Sequence, residues 1–119
     1  MQSKHDLSVE QGLADEGVSR MRRHAPEAAG LMSALGNENR LLVLCALTQG
    51  PRSVGELNAL VPLSQSALSQ QLGRLRDRGL VTTRRESQTI FYSLAPGPAE
   101  QIIAALHDIY CTAPTAGDA

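Results

Sequence analysis

Between Ser53 and Arg78 apolar residues recur at helical spacing on two short segments with a break between them. In the first, Val54, Leu57, Leu60 and Val61 fall on one face. Ser53 followed three residues later by Glu56 forms a capping box at its start. Val61-Pro62 ends it, because a residue before proline is pushed out of the α region. Ser64 N-caps the second segment, where Leu68, Leu72 and Leu75 make a narrow apolar stripe. The opposite side carries Ser66, Gln70, Gly73 and Arg74, flanked by Gln65 and Ser69. Two short helices joined by a tight break, the second with a polar outer face, predict a helix-turn-helix.

The flanking pattern extends the prediction. From Val18 to Leu35 apolar residues recur helically, interrupted by Pro26. Either the main helix begins near Pro26 or a longer one kinks there. Its Ala28, Ala29 and Met32 form a small-residue face suited to close packing against another helix. Asn37 caps a helix over residues 38–48, with Leu41, Leu44, Cys45 and Thr48 on one face and Cys45 at least partly buried. Residues 49–51 read as a loop. Gly79 stops the second reading-motif helix as a C′ glycine. Residues 80–94, rich in Val, Thr, Ile, Phe and Tyr, read as a β-hairpin turning near Glu86-Ser87-Gln88. Pro98 opens a last helix through Cys111, whose wide apolar surface (Ile102, Ile103, Leu106, Ile109, Tyr110) exceeds what one small core covers. Residues 1–17 are expected to be a flexible extension or a loosely packed extra helix, 18–111 the folded domain, and 112–119 a frayed tail.

Composition narrows the class. The 119 residues support one domain with one modest core. With three aromatics and no Trp, the core is built from Leu, Ile, Val and Ala, and a partner subunit is expected to complete it. Net charge is −1, yet residues 64–88 hold five arginines against Asp77 and Glu86. A local basic face matters more for phosphate contact than the total. The chain has no apolar run long enough to span a membrane and no apolar signal-peptide segment at its start, so a cytoplasmic location is expected. There, two cysteines are core thiols, metal ligands or redox-active groups rather than a permanent disulfide.

The second helix is the candidate reader. Serines and glutamines cost helix stability relative to the Glu and Lys usual on solvated faces, whereas a helix in the major groove needs short hydrogen-bonding side chains. Gln65, Ser66 and Gln70 are the candidates for base edges; Ser64 and Ser69 equally suit phosphates, and Arg74 is a DNA-binding candidate on the same polar face. In the hairpin, Arg84 and Arg85 point to opposite faces of their strand, so one at most aims directly at DNA. Gln88, with Ser87 and Thr89, is placed for phosphate or minor-groove contact. No nucleophile–base constellation, Gly-rich phosphate loop or metal catalytic motif argues for an enzyme.

The element order is that of a winged helix: mainly α with a small β-hairpin. The segments ALGNENRLLVLCAL (34–47), SVGEL (53–57), LSQSALSQQLGRLRDRGLV (63–81) and TTRRESQTIFYSL (82–94) resemble the ArsR/SmtB family of dimeric bacterial repressors. The resemblance covers about residues 18–111. It implies a homodimer paired through the first and last helices, reading an inverted repeat in double-stranded operator DNA.

Neither familiar metal site of that family is present. The run matching its thiol-bearing helix is GELNALV, with no cysteine, and the last helix offers only the adjacent His107 and Asp108. Instead, Cys45 and Cys111, with SQSALSQQL and IFYSL, resemble the sulfide-responsive BigR/SqrR branch. That resemblance implies that the two thiols react with persulfide or polysulfide, become bridged within one subunit, and lift repression without a cofactor. From the residues alone, Cys45 could equally be a small core residue and Cys111 an incidental terminal thiol. His107, one turn before Cys111, favours a thiolate there if protonated, or simply faces solvent. Cys45, Cys111 and His107 supply three zinc ligands without a clear fourth; no metal site is expected. His5 and His24 are expected to be exposed.

Overall fold

The computed structural model describes residues 3–112, and side chains from Asp15 onward. The order is α1 (Ser3–Leu35), α2 (Glu38–Ala46), β1 (Arg52–Ser53), α3 (Val54–Leu60), α4 (Gln65–Asp77), β2 (Val81–Glu86), β3 (Thr89–Leu94) and α5 (Pro98–Tyr110). The expectations for residues 1–17 and for the tail fall almost entirely on residues outside those whose side chains are described. Two units make up the chain, residues 1–34 and 35–119.

In the first unit, α1 carries Pro26 inside one continuous helix, so the kink-or-start alternative resolves as a helix passing through the proline. Pro26 has no N–H for the Arg22 carbonyl, a local cost that the length of the helix absorbs. Val18, Met21 and Met32 are exposed, and His24 sits at the surface near Glu27.

In the second unit, the chain's own punctuation fixes the helices. Asn37 accepts the Arg40 N–H at 3.0 Å and starts α2. Ser53 and Glu56 complete a reciprocal capping box at α3. Ser64 accepts the Ala67 N–H at α4. At the far end of α4, the Gly79 N–H donates to the Arg76 carbonyl and the Leu80 N–H to Leu75. With φ at +74° for Gly79, this is a Schellman stop. Leu75 and Leu80, the two ends of that motif, are both buried.

Leu68, Leu72 and Leu75 enter the core with Val43, Leu44, Leu57, Val81 and Ile103, each contributing about 1.5–3 kcal/mol by leaving water. Leu60 departs from expectation: it is 55% exposed, whereas Val61 is buried as its place on the apolar face predicts. The reason is local. Helix α3 ends at Leu60, and Val61, held extended before Pro62, turns its side chain inward.

The hairpin is part of a three-stranded antiparallel sheet in the order β1-β3-β2. Strand β1 is only two residues, with Arg52 opposite Tyr92 and Ser53 opposite Phe91. It fastens the start of α3 to the wing. The β2–β3 turn is two residues, Ser87-Gln88, flanked by the Glu86–Thr89 pair, and Ser87 takes a positive φ of 56°.

Candidate DNA-reading face and dithiol site

Burying Leu68, Leu72 and Leu75 turns the opposite face of α4 outward. Gln65, Ser66, Ser69, Gln70, Gly73 and Arg74 are all exposed, as is the cap Ser64. The Ser64 and Ser66 hydroxyls stand 3.5 Å apart at the N-terminal end, where unpaired helix N–H groups favour a phosphate. The turn between α3 and α4 is locked by the Asn58 side-chain amide donating to the Leu63 carbonyl at 2.7 Å. Helix α4 is thus held at a fixed angle to α3.

In the wing, Arg84 and Arg85 do face opposite ways: Arg84 pairs across the strands with Phe91, Arg85 with Ile90. Arg84 is already engaged. Its guanidinium lies 3.3 Å from Glu86 and 5.8 Å from the centre of the Phe91 ring. Among the described residues Arg85 has no such partner; it is exposed, as is Gln88 at the turn.

The second cluster joins α2 to the end of α5, which pack against each other. Cys45 is half-buried near the end of α2, and Cys111 is exposed at the C-cap of α5. Sixty-six residues apart in sequence, their sulfurs lie 3.8 Å apart and unbonded. Burial pushes the Cys45 thiol pKa up; its hydrogen bond with Cys111 and the charge of Cys111 push the same way. His107 is half-buried rather than solvent-facing, and its ring lies on this cluster, with all three donor atoms within 4.8 Å of one another. Beside them the Thr112 hydroxyl donates to the Asp108 carbonyl and secures the end of α5.

Sequence reasoning missed Arg52. Its side chain donates to the Ala46 carbonyl at 2.6 Å, capping the end of α2 next to Cys45, while its backbone belongs to β1. A two-residue strand leaves no alternation to detect, and nothing local marks this contact.

Capped helix-turn-helix, outward polar face and adjoining wing together define a winged helix-turn-helix DNA-binding module. The model of bacterial regulatory proteins of the arsR family matches residues 37–83. The chain is 45% identical over 100 residues to the transcriptional activator HlyU of Vibrio cholerae, covering 84% of this chain and 93% of that one. Reduced HlyU from that organism superposes with a TM-score of 0.73 over 78% of this chain and 98% of its own. The biofilm growth-associated repressor of Agrobacterium fabrum is 48% identical over 91 residues, 76% of this chain and 78% of that protein. The repressor BigR of Xylella fastidiosa superposes with a TM-score of 0.73 at 43% identity, over 78% and 92% of the two chains. The chain therefore belongs to the ArsR family of transcriptional regulators, in its BigR-type branch. No helix among the described residues is long and apolar enough to cross a membrane.

Proposed function

We propose that this protein is a homodimeric repressor that leaves its operator when Cys45 and Cys111 become joined through sulfur. The observation that carries the reading is the pair of free sulfurs 3.8 Å apart, bridging α2 and α5. The reduced dimer reads an inverted repeat with two α4 helices about one helical turn apart. Gln65, Ser66 and Gln70 meet base edges; Ser64, Ser69 and Arg74 hold the backbone. Arg85 and Gln88, with Arg84 behind them, reach out from the wing. Dimerisation covers the apolar surface left open: Ile109 is 67% and Tyr110 79% exposed on α5, and Met21 and Met32 are each 58% exposed on α1.

The inducer that fits is sulfane sulfur. Each cysteine thiolate attacks the outer sulfur of an organic persulfide RSSH, releasing RSH and leaving a protein persulfide. The Cys111 persulfide anion then attacks the inner sulfur of the Cys45 persulfide and expels hydrosulfide. Two thiols and two persulfides give a trisulfide, two RSH and one hydrogen sulfide. The oxidant is the sulfane sulfur itself.

The test is anaerobic intact-mass analysis with persulfide, glutathione disulfide and peroxide in parallel, alongside an operator mobility shift. An intrasubunit bridge carrying added sulfur, formed only with persulfide and coincident with release from DNA, is expected. Release that persists unchanged in Cys45→Ser and Cys111→Ser refutes the reading. Binding to operator with a steep salt dependence separates it from a winged helix that serves only protein contacts.

A further inference from the structure

The same two sulfurs have a third neighbour that sulfur bridging does not use. His107 and Cys111 lie one turn apart on α5, and Cys45 comes to them from α2. Their three donor atoms lie within 4.8 Å of one another. In a tetrahedral zinc site with Zn–S near 2.3 Å, two thiolates stand about 3.8 Å apart. The sulfurs here are 3.8 Å apart, whereas a disulfide requires about 2.05 Å. The spacing, which the thiol–thiol hydrogen bond already sets, matches that of two ligands on one metal edge. The partly covered position of Cys45 and the open position of Cys111 give a site reachable from one side.

We infer that Cys45, His107 and Cys111 form a three-ligand site for a soft or borderline four-coordinate ion of the zinc class, with water or an external thiolate as the fourth ligand. Two sulfurs and one imidazole select such ions over magnesium or calcium. Binding expels one proton from each thiol and leaves two metal-bound thiolates. The ligand set differs from the thiol run that α3 lacks and from an Asp/His array along α5. It rests on the cysteine pair already described but not on its sulfur chemistry. The consequence is competition: an ion holding both thiolates withdraws the lone pairs that attack a persulfide. Metal supply then sets how readily the protein responds to sulfane sulfur.

The test uses the full-length reduced protein under argon, with cobalt(II) as the spectroscopic probe and zinc(II) as competitor. One cobalt per subunit is expected, with a near-ultraviolet thiolate-to-cobalt charge-transfer band and the visible bands of tetrahedral cobalt, all erased by zinc. Cys45→Ser should lose the charge-transfer intensity of one thiolate. His107→Gln should weaken binding by more than the roughly 10- to 100-fold that loss of an outer-shell partner costs, while still forming the sulfur bridge. Zinc-loaded protein should react with persulfide at least about tenfold more slowly. The inference is overturned if no charge-transfer band appears at one equivalent, or if cobalt binding survives undiminished in the Cys45→Ser/Cys111→Ser double variant. The two readings fail separately. Bridging without cobalt binding removes the metal site alone; cobalt binding without persulfide bridging removes sulfur sensing alone.

Discussion

A bridge between Cys45 and Cys111 should stabilise the fold, and a trisulfide should do so more than a disulfide. The two residues are 66 positions apart. Closing a loop of that size in the unfolded chain stabilises the native state by about 4 kcal/mol at 25 °C. The native state gives some of that back. A trisulfide holds its outer sulfurs about 3.3 Å apart for S–S bonds near 2.05 Å, so the observed 3.8 Å closes with little movement. A disulfide must close about 1.7 Å in all. Turning each cysteine about 30° off its rotamer moves each sulfur about 0.9 Å and costs about 0.5–1.5 kcal/mol per side chain. The disulfide form should therefore be about 1–3 kcal/mol less stable than the trisulfide form. The assay is urea unfolding of the reduced, disulfide and trisulfide proteins at one protomer concentration, since the proposed dimerisation would add to apparent stability. With m about 2 kcal/mol/M, the full effect moves the midpoint by roughly 2 M. A disulfide form as stable as the trisulfide form would show that the sulfur spacing imposes no preference. Bridged forms no more stable than reduced protein would refute the reasoning altogether.

Four further outcomes are expected. Arg85→Ala should lower the slope of log affinity against log salt by about 2 for the dimer, about 1 for each subunit, and Arg84→Ala by less, because Arg84 is already held by Glu86 and Phe91; the reverse order in a salt titration would misassign the wing. Ser53→Ala should cost about 1 kcal/mol in chemical denaturation by opening the capping box at α3, while Ser53→Gly should cost only a few tenths. Burial raises the Cys45 pKa above its ordinary value near 9, with Cys111 adding to the rise. The folded state thus holds that proton more tightly than the unfolded state. Its contribution is intact below the ordinary thiol pKa and lost as pH climbs past the raised value, so wild type should lose more melting temperature between pH 7 and pH 10 than Cys45→Ser. Finally, Arg52→Ala should leave bridging intact yet shrink the accompanying loss of operator affinity, read by mobility shift on matched reduced and bridged samples; an undiminished loss would exclude Arg52 from the coupling.

How much of this was legible depended on range. Asn37, Ser53 with Glu56, Ser64 and Gly79 act within a few residues of themselves, and each sets the helix boundary its residue type predicts. The Leu68-Leu72-Leu75 stripe is equally local, and it settles by exclusion which face of α4 is free. Leu60 misled because it is the last residue of α3, and the extended Val61 just beyond it takes the place in the core. Strand β1 stayed hidden because two residues carry no period, and its partner lies some forty positions on, in β3. The approach of Cys45 to Cys111 is non-local in the same way. No spacing rule brings residues 66 apart together, and only the family resemblance pointed to them. His107 was visible as an i, i+4 neighbour of Cys111, but its position beside both sulfurs needs the packing of α2 on α5.

Under the proposed function, that packing supplies the path by which a contact far from α4 would act on it. Cys45 sits one residue before the end of α2, and the last carbonyl there, Ala46, is held by the Arg52 side chain. Arg52 is also β1, paired to Tyr92 in the strand that forms half the wing. The same α2 packs against α3, and α3 is tied to α4 through Asn58 and Leu63. Cys45 is therefore connected to the wing by one chain of contacts and to α4 by the other. Both routes run through short hydrogen bonds and a closely packed leucine core, which shift as units rather than deform smoothly. In a dimer, two reading helices must match the groove at fixed spacing, so a small rotation in each subunit is doubled at the DNA. If each subunit loses one good bidentate base contact, at about 1–3 kcal/mol each, affinity falls by roughly 30-fold or more. On the proposed function, a bond between two side chains on the edge of the core would separate a bound from a released state, provided α2 cannot yield without carrying Arg52 and α3 with it.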